Sequence, residues 1–133
     1  MPATILVVDD DANFRAVVVA FLVSEGYQVV AAENGSQAFS AAVQHKPDLI
    51  VMDLIMPEVS GATALEMLAD FRSKNGTPVV LATGSRDKAL IKTATSLPAT
   101  RFMPKPFHMK ELSFTVRELL AAKSGAPPKP PAL

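Results

Sequence analysis

Short apolar runs and longer stretches of helical periodicity take turns along this sequence, and that alternation leaves few folds open. The runs are Ile5–Val8, Gln28–Ala31, Leu49–Met52, Val79–Ala82 and Arg101–Met103. Mostly β-branched or aliphatic, with Gly and Pro breakers falling between the elements, they read as strands. Between them, Phe14, Val17, Val18, Phe21 and Leu22 recur at the spacing of one helix face, as do Met109, Leu112, Val116, Leu119 and Leu120. Ala64, Leu65, Leu68 and Phe71 mark a third helix, and Leu90, Ile91, Ala94 and Leu97 a fourth. Ser36–Gln44 supplies an Ala-rich second helix, entered through the turn-prone Asn34–Gly35 pair. A strand, a helix and a parallel strand connect by a right-handed crossover. Repeated along the chain, this predicts an α/β fold, a doubly wound parallel sheet between two layers of helices. The run carrying Gln28, bounded by polar residues, is the candidate for an exposed edge.

A chain of 133 residues is ordinarily one domain, long enough to bury about two-thirds of the surface its unfolded form exposes. Its 13 basic residues balance 13 acidic ones, so no electrostatic footprint argues for direct nucleic-acid binding or an anionic membrane surface. With no cysteine, disulfides, thiolate catalysis and cysteine metal sites are excluded. The longest apolar run, Ala16–Val23, is too short for a bilayer, and the first residues lack the basic start and cleavage site of a secretory signal. A soluble, cytoplasmic protein is the expectation. Residues 1–123 are expected to form the domain. Residues 124–133 read SGAPPKPPAL, too proline-rich to prolong a helix and suited to polyproline II or disorder. That tail reads as a linker, a solubilising end or a ligand for a proline-reading domain.

In an open parallel sheet, ligands bind in the crevice beyond the carboxyl ends of the strands. The first run leads into Asp9, Asp10 and Asp11, and the third into Asp53; the fourth leads to Thr83 and Gly84, and the fifth passes through Pro104 to Lys105. Asp11 suits the cap of the helix that follows. Capping uses one carboxylate. Three adjacent acids repel unless a cation sits among them, and hard oxygen donors in this number suit Mg²⁺. Asp53 is costly to bury unless paired or metal-bound. It serves as an oxygen ligand, as a nucleophile toward phosphorus giving an aspartyl phosphate, or as a turn former ahead of Pro57. Lys105 could neutralise the acids at rest and hold a phosphoryl oxygen later. Prolines flank it, and Lys105–Pro106 is a candidate cis peptide. Thr83 gains interest only from its position, and Gly84, without a side chain, leaves its backbone open to approach.

Taken in order, ILVVDDD, VMDLIMP, LATG and FMPKPF resemble the motifs of bacterial response-regulator receiver domains, and the resemblance spans residues 4 to about 123. It implies a flavodoxin-like (βα)5 three-layer sandwich with sheet order 2-1-3-4-5. It also implies phosphorylation of Asp53 by a sensor histidine kinase, a phosphotransfer protein or a small acyl phosphate. That is a step of two-component phosphorelay signalling, not the turnover of a substrate. Asp10, Asp53 and the backbone carbonyl of Ile55 would bind Mg²⁺ directly, and Asp9 through water. Lys105 and the Gly84 backbone would hold the phosphoryl group. Thr83 would swing toward it as the switch hydroxyl, with Phe102 turning inward behind. An output protein would read the face formed by the fourth helix, the fifth strand and the last helix.

Several residues depart from the family pattern. Phe102 lacks the hydroxyl of the commoner tyrosine and is expected to be largely buried in either state. Leu97–Pro98 stands where relatives often carry Gly-Ala, and His108 replaces the usual Asp or Ser cap of the last helix. Ile55 cannot orient a hydrolytic water, and Ser85 does so only weakly, which predicts a long-lived phosphoryl group. Neither His45 nor His108 has a partner at metal-binding spacing. Two other functions compete. A Mg²⁺-dependent phosphohydrolase with an aspartyl nucleophile needs a second acid two residues on to protonate the leaving group; Ile55 holds that place after Asp53, and Asp11 after Asp9 lacks the rest of the pattern. A flavodoxin-type mononucleotide binder needs a Gly-rich or Ser/Thr-rich phosphate loop after the first strand, and none follows it.

Overall fold

In the computed structural model, which describes residues 2–56, 63, 66, 68–69, 75–84, 86–96 and 99–124, the apolar runs form a single parallel sheet. The elements are β1 (Thr4–Val8), α1 (Ala12–Ser24), β2 (Gln28–Ala32), α2 (Gly35–His45), β3 (Leu49–Met52), β4 (Val79–Thr83), α3 (Lys88–Thr95), β5 (Thr100–Pro104) and α4 (Met109–Ser124). The strand order is β2-β1-β3-β4-β5, all pairs parallel, the flavodoxin-like order expected of the sequence. Every strand begins and ends within one residue of its expected bounds. Of the residues expected in a helix between β3 and β4, Leu68 is fully buried. Ala64, Leu65 and Phe71 lie outside the described residues, as do Ser85, Leu97, Pro98 and residues 125–133.

Strand alternation divides the core in two. Successive side chains of β1 point to opposite faces. Leu6 and Val8 pack with Ile50, Met52, Val79 and Leu81 beneath Ala38 and Ala42 of α2. Ile5 and Val7 pack with Leu49, Val51 and Val80 beneath Val18 and Leu22 of α1 and Leu112 and Val116 of α4. Both faces are covered, so β3 is apolar at every position instead of alternating with polar residues. β2 is an edge, as Gln28 suggested. Among the described strands β5 is the other, and its Phe102 ring packs against the α2-side core but is only half-buried, less than expected.

Local chemistry sets the helix ends. Asp11 accepts from the backbone N–H of Asn13 at 3.0 Å and of Phe14 at 3.1 Å, capping α1 as its position predicted. Asn34 caps α2 by accepting from Gln37 N–H at 2.9 Å, while the Gln37 side chain accepts from Glu33 N–H at 3.0 Å. α1 closes at Gly26, whose φ of 97° favours a residue without a Cβ. Before α4, the carbonyl of His108 accepts from Glu111 N–H at 3.0 Å.

At the amino-terminal end of the sheet, Asp48 holds both ends of the described fold. It accepts from Thr4 N–H at 2.8 Å and pairs with Lys123 Nζ at 3.5 Å. At the carboxyl end, parallel register brings the polar strand ends together. Val8 pairs with Met52 and Met52 with Leu81. Asp53 N–H then donates to the Val8 carbonyl at 3.1 Å, and Lys105 N–H to the Thr83 carbonyl at 2.9 Å.

Candidate functional site

Asp9 and Asp53 leave the carboxyl ends of the adjacent strands β1 and β3, and Lys105 arrives from β5, beyond β4. The lysine spans the gap between them. Its Nζ donates to Asp9 Oδ2 at 2.7 Å and to Asp53 Oδ2 at 3.0 Å. The remaining oxygens of the two acids are held by the backbone: Asp11 N–H donates to Asp9 Oδ1 at 2.9 Å, and Ile55 N–H to Asp53 Oδ1 at 3.0 Å. Asp9 is 2 % exposed and Asp53 8 %, whereas Asp10 is exposed. One oxygen from each of the three acids falls within 4.8 Å of the others, a spacing at which they could share a metal ion.

Burial pushes the Asp9 carboxyl above its ordinary value, against the Lys105 hydrogen bond and the Asp11 N–H, which pull it down. Burial alone would lower Lys105. Hydrogen bonds and charge from Asp9 and Asp53 outweigh it and raise the ammonium above its ordinary value. A cation between two carboxylates stays charged, and it is the acid sealed from water that resists ionisation.

The other expected residues are placed as follows. Thr83 is buried at the end of β4, and Gly84 beyond it is exposed; a Cβ built there would meet nothing within 4 Å, so the backbone is open. The Lys105–Pro106 peptide is cis. Phe102 lies in the α2-side core, apart from the acidic cluster. The Ile55 side chain is 55 % exposed.

Three residues that the sequence reading did not assign to the site belong to it. The Lys105 ammonium sits over the ring of Phe14, 4.0 Å from its centroid. Phe107 meets the same ring edge-on, with centroids 5.8 Å apart. Arg15 Nη1 donates to the Asp9 carbonyl at 2.6 Å. Phe14 is fully accounted for by the apolar period of α1, so no spacing rule marks it out; an aromatic two residues after Lys105 was the one visible hint.

The response regulator receiver domain model matches residues 5–117. The chain belongs to this family. Receiver domains are signalling modules of two-component systems, and this one has the acidic pocket suited to metal binding and aspartate phosphorylation. It is 33 % identical over 121 residues to the chemotaxis protein CheY of Bacillus subtilis, covering 90 % of this chain and 99 % of that protein. Over 127 residues it is 32 % identical to the DNA-binding response regulator MtrA of Mycobacterium tuberculosis, covering 96 % of this chain and 54 % of MtrA. The receiver thus spans about half the length of that relative. Among solved structures, CheY4 of Vibrio cholerae superposes with a TM-score of 0.81 at 27 % identity, over 90 % of this chain and 99 % of that one. Among the described residues no helix is long and apolar enough to cross a membrane.

Proposed function

We propose that this receiver is phosphorylated on Asp53 in a Mg²⁺-dependent reaction with a sensor histidine kinase, a phosphotransfer protein or a small acyl phosphate. The observation that carries the reading is Lys105, which binds Asp9 and Asp53 at once. An ammonium there neutralises the pocket at rest and is within reach of a phosphoryl oxygen afterwards. The donor set fits Mg²⁺: all carboxylate oxygen, one side open to water. Asp10 and Asp53, with the Ile55 carbonyl, would hold the ion directly. Asp9, the most deeply buried of the three acids, would act through water. When bound, the ion supplies positive charge to the phosphoryl oxygens.

The chain's own groups do the rest. The Ile55 and Lys105 contacts fix the plane of the Asp53 carboxylate. One of its oxygens forms a new O–P bond as the donor's P–N or P–O bond breaks, and the leaving imidazole or carboxylate takes the electron pair. Lys105 and the Gly84 backbone N–H receive the charge on the transferring oxygens. Thr83 then turns its hydroxyl to the phosphoryl group, Phe102 follows inward, and an output protein reads the face of α3, β5 and α4. The domain catalyses only its own phosphorylation and dephosphorylation, works in the cytoplasm and makes no direct nucleic-acid contact. Residues 1–123 are the receiver and 124–133 a linker or tail.

A phosphohydrolase is disfavoured because Ile55 stands where its second acid is needed. Intact mass after incubation with acetyl phosphate and Mg²⁺ tests the assignment. Wild type gains one phosphate and Asp53→Asn gains none; a mutant that still takes up label refutes it.

A further inference from the structure

Phe14 is used by neither the phosphoacceptor nor the metal cluster, yet its ring lies against the ammonium that joins them. We infer that Phe14 is a positioning residue for Lys105, a cation–π floor that keeps the ammonium in the crevice while its hydrogen-bond partners change. The inference rests on the assignment of Asp53 as phosphoacceptor.

At rest Lys105 donates to Asp53 Oδ2 at 3.0 Å and to Asp9 Oδ2 at 2.7 Å. Phosphorylation places a phosphoryl group on Asp53, and when Lys105 donates to one of its oxygens, with its third N–H or in exchange for one of these bonds, the ammonium must turn. Hydrogen bonds are directional, and during the exchange they do not fix the lysine. Attraction to the face of a ring 4.0 Å away tolerates rotation of the ammonium and persists through it. The floor is itself braced. Phe107, two residues beyond Lys105, packs edge-on against Phe14 at an interplanar angle of 88°. Behind the ring, the Asp11 carboxylate caps the Phe14 N–H at 3.1 Å, and Arg15 holds the Asp9 carbonyl at 2.6 Å. The first turn of α1 therefore grips both the acid pocket and the lysine. Lys105 is one-fifth exposed, and without the ring its flexible stem has room to swing toward water.

The test compares Phe14→Leu, Phe14→Met and Phe14→Tyr with wild type in the whole chain. NMR of the Lys105 ε-methylene reads the placement directly, because a ring face shifts these protons upfield. Acetyl phosphate with Mg²⁺ reads the reaction. The shift should vanish in the Leu and Met variants and persist in Tyr. The phosphorylation rate at saturating Mg²⁺ should fall roughly three- to thirtyfold in Leu and Met, the range that one cation–π contact supports, and return to within about twofold of wild type in Tyr. Met keeps most of the buried volume if Leu fails to fold. Unchanged rates in Leu and Met, or a Tyr variant no faster than they are, overturns the proposal. If wild type takes up no phosphate, the Asp53 assignment fails instead. The lysine shift still decides the placement, and its survival in Leu or Met would refute it.

Discussion

Lys105 and Asp9 are each shifted upward, for opposite reasons, and the signs make the site's pH behaviour testable. The ammonium's stabilising contribution is present below the ordinary lysine value of 10.5, as long as its carboxylate partners are ionised, and is lost as pH rises above it. Asp9 behaves differently. Burial lifts it above 3.8, so between 3.8 and its folded value the native state holds a proton that the unfolded chain has released. Stability conferred by that proton is lost as pH rises through this window. Asp9→Asn keeps an acceptor and cannot ionise. Denaturant midpoints should show the variant more stable than wild type at neutral pH, the difference closing as pH falls to 3.8; a constant difference would contradict the burial effect. Ile55 offers a second residue-scale outcome. More than half exposed and without a polar atom on its side chain, it cannot align water for attack on phosphorus. Ile55→Gln, whose amide can hold a water in place, should shorten the phosphoryl lifetime by about tenfold, the rate effect of one net hydrogen bond, measured by loss of label in Mg²⁺. The acids and lysine were legible because charge at the end of a buried strand demands a partner. Phe14 was not, since its helical period already explained an apolar side chain there.

Elements form where local signals and burial agree. At the start of α1 the Asp11 carboxylate satisfies two backbone donors. Asp11→Ala should therefore cost about 1 kcal/mol and lower the thermal midpoint by about 3 °C, while Asp11→Asn, which keeps the acceptor, stays near wild type. Calorimetry of the pair separates the cap from relief of acidic crowding, since crowding is relieved in both variants. Strand assignments were legible because two covered faces demand unbroken apolar runs, as in β3. The bounds of α2 moved outward a little, gaining Gly35 and His45 at its ends, because caps and final turns depend on backbone geometry more than on periodicity. The half-burial of Phe102 was not legible. The pattern of β5 does not say that the sheet stops there, and edge status comes from strand order alone.

The molecule as a whole responds to what binds its folded form. A cation held by Asp9, Asp10 and Asp53 requires β1 and β3 side by side, an arrangement the unfolded chain lacks. Mg²⁺ at 100 times its dissociation constant should then add about 2.7 kcal/mol of stability. Melting in MgCl₂ should exceed melting in NaCl of equal ionic strength, and Asp10→Asn, at an exposed position, should remove most of the gain. An equal rise in both salts would reduce the effect to screening. The sheet order was legible from the alternation of strands and helices together with the motif resemblance, whereas the ties that close the far end of the sheet were not. Asp48 there clasps Thr4 and Lys123. β1 and α4 consequently meet at the pole opposite the acidic crevice. A short loop can bridge them, and new termini can be opened elsewhere, without rebuilding the sheet. The receiver is wired like a plug, with both leads at the back and its contacts recessed at the front.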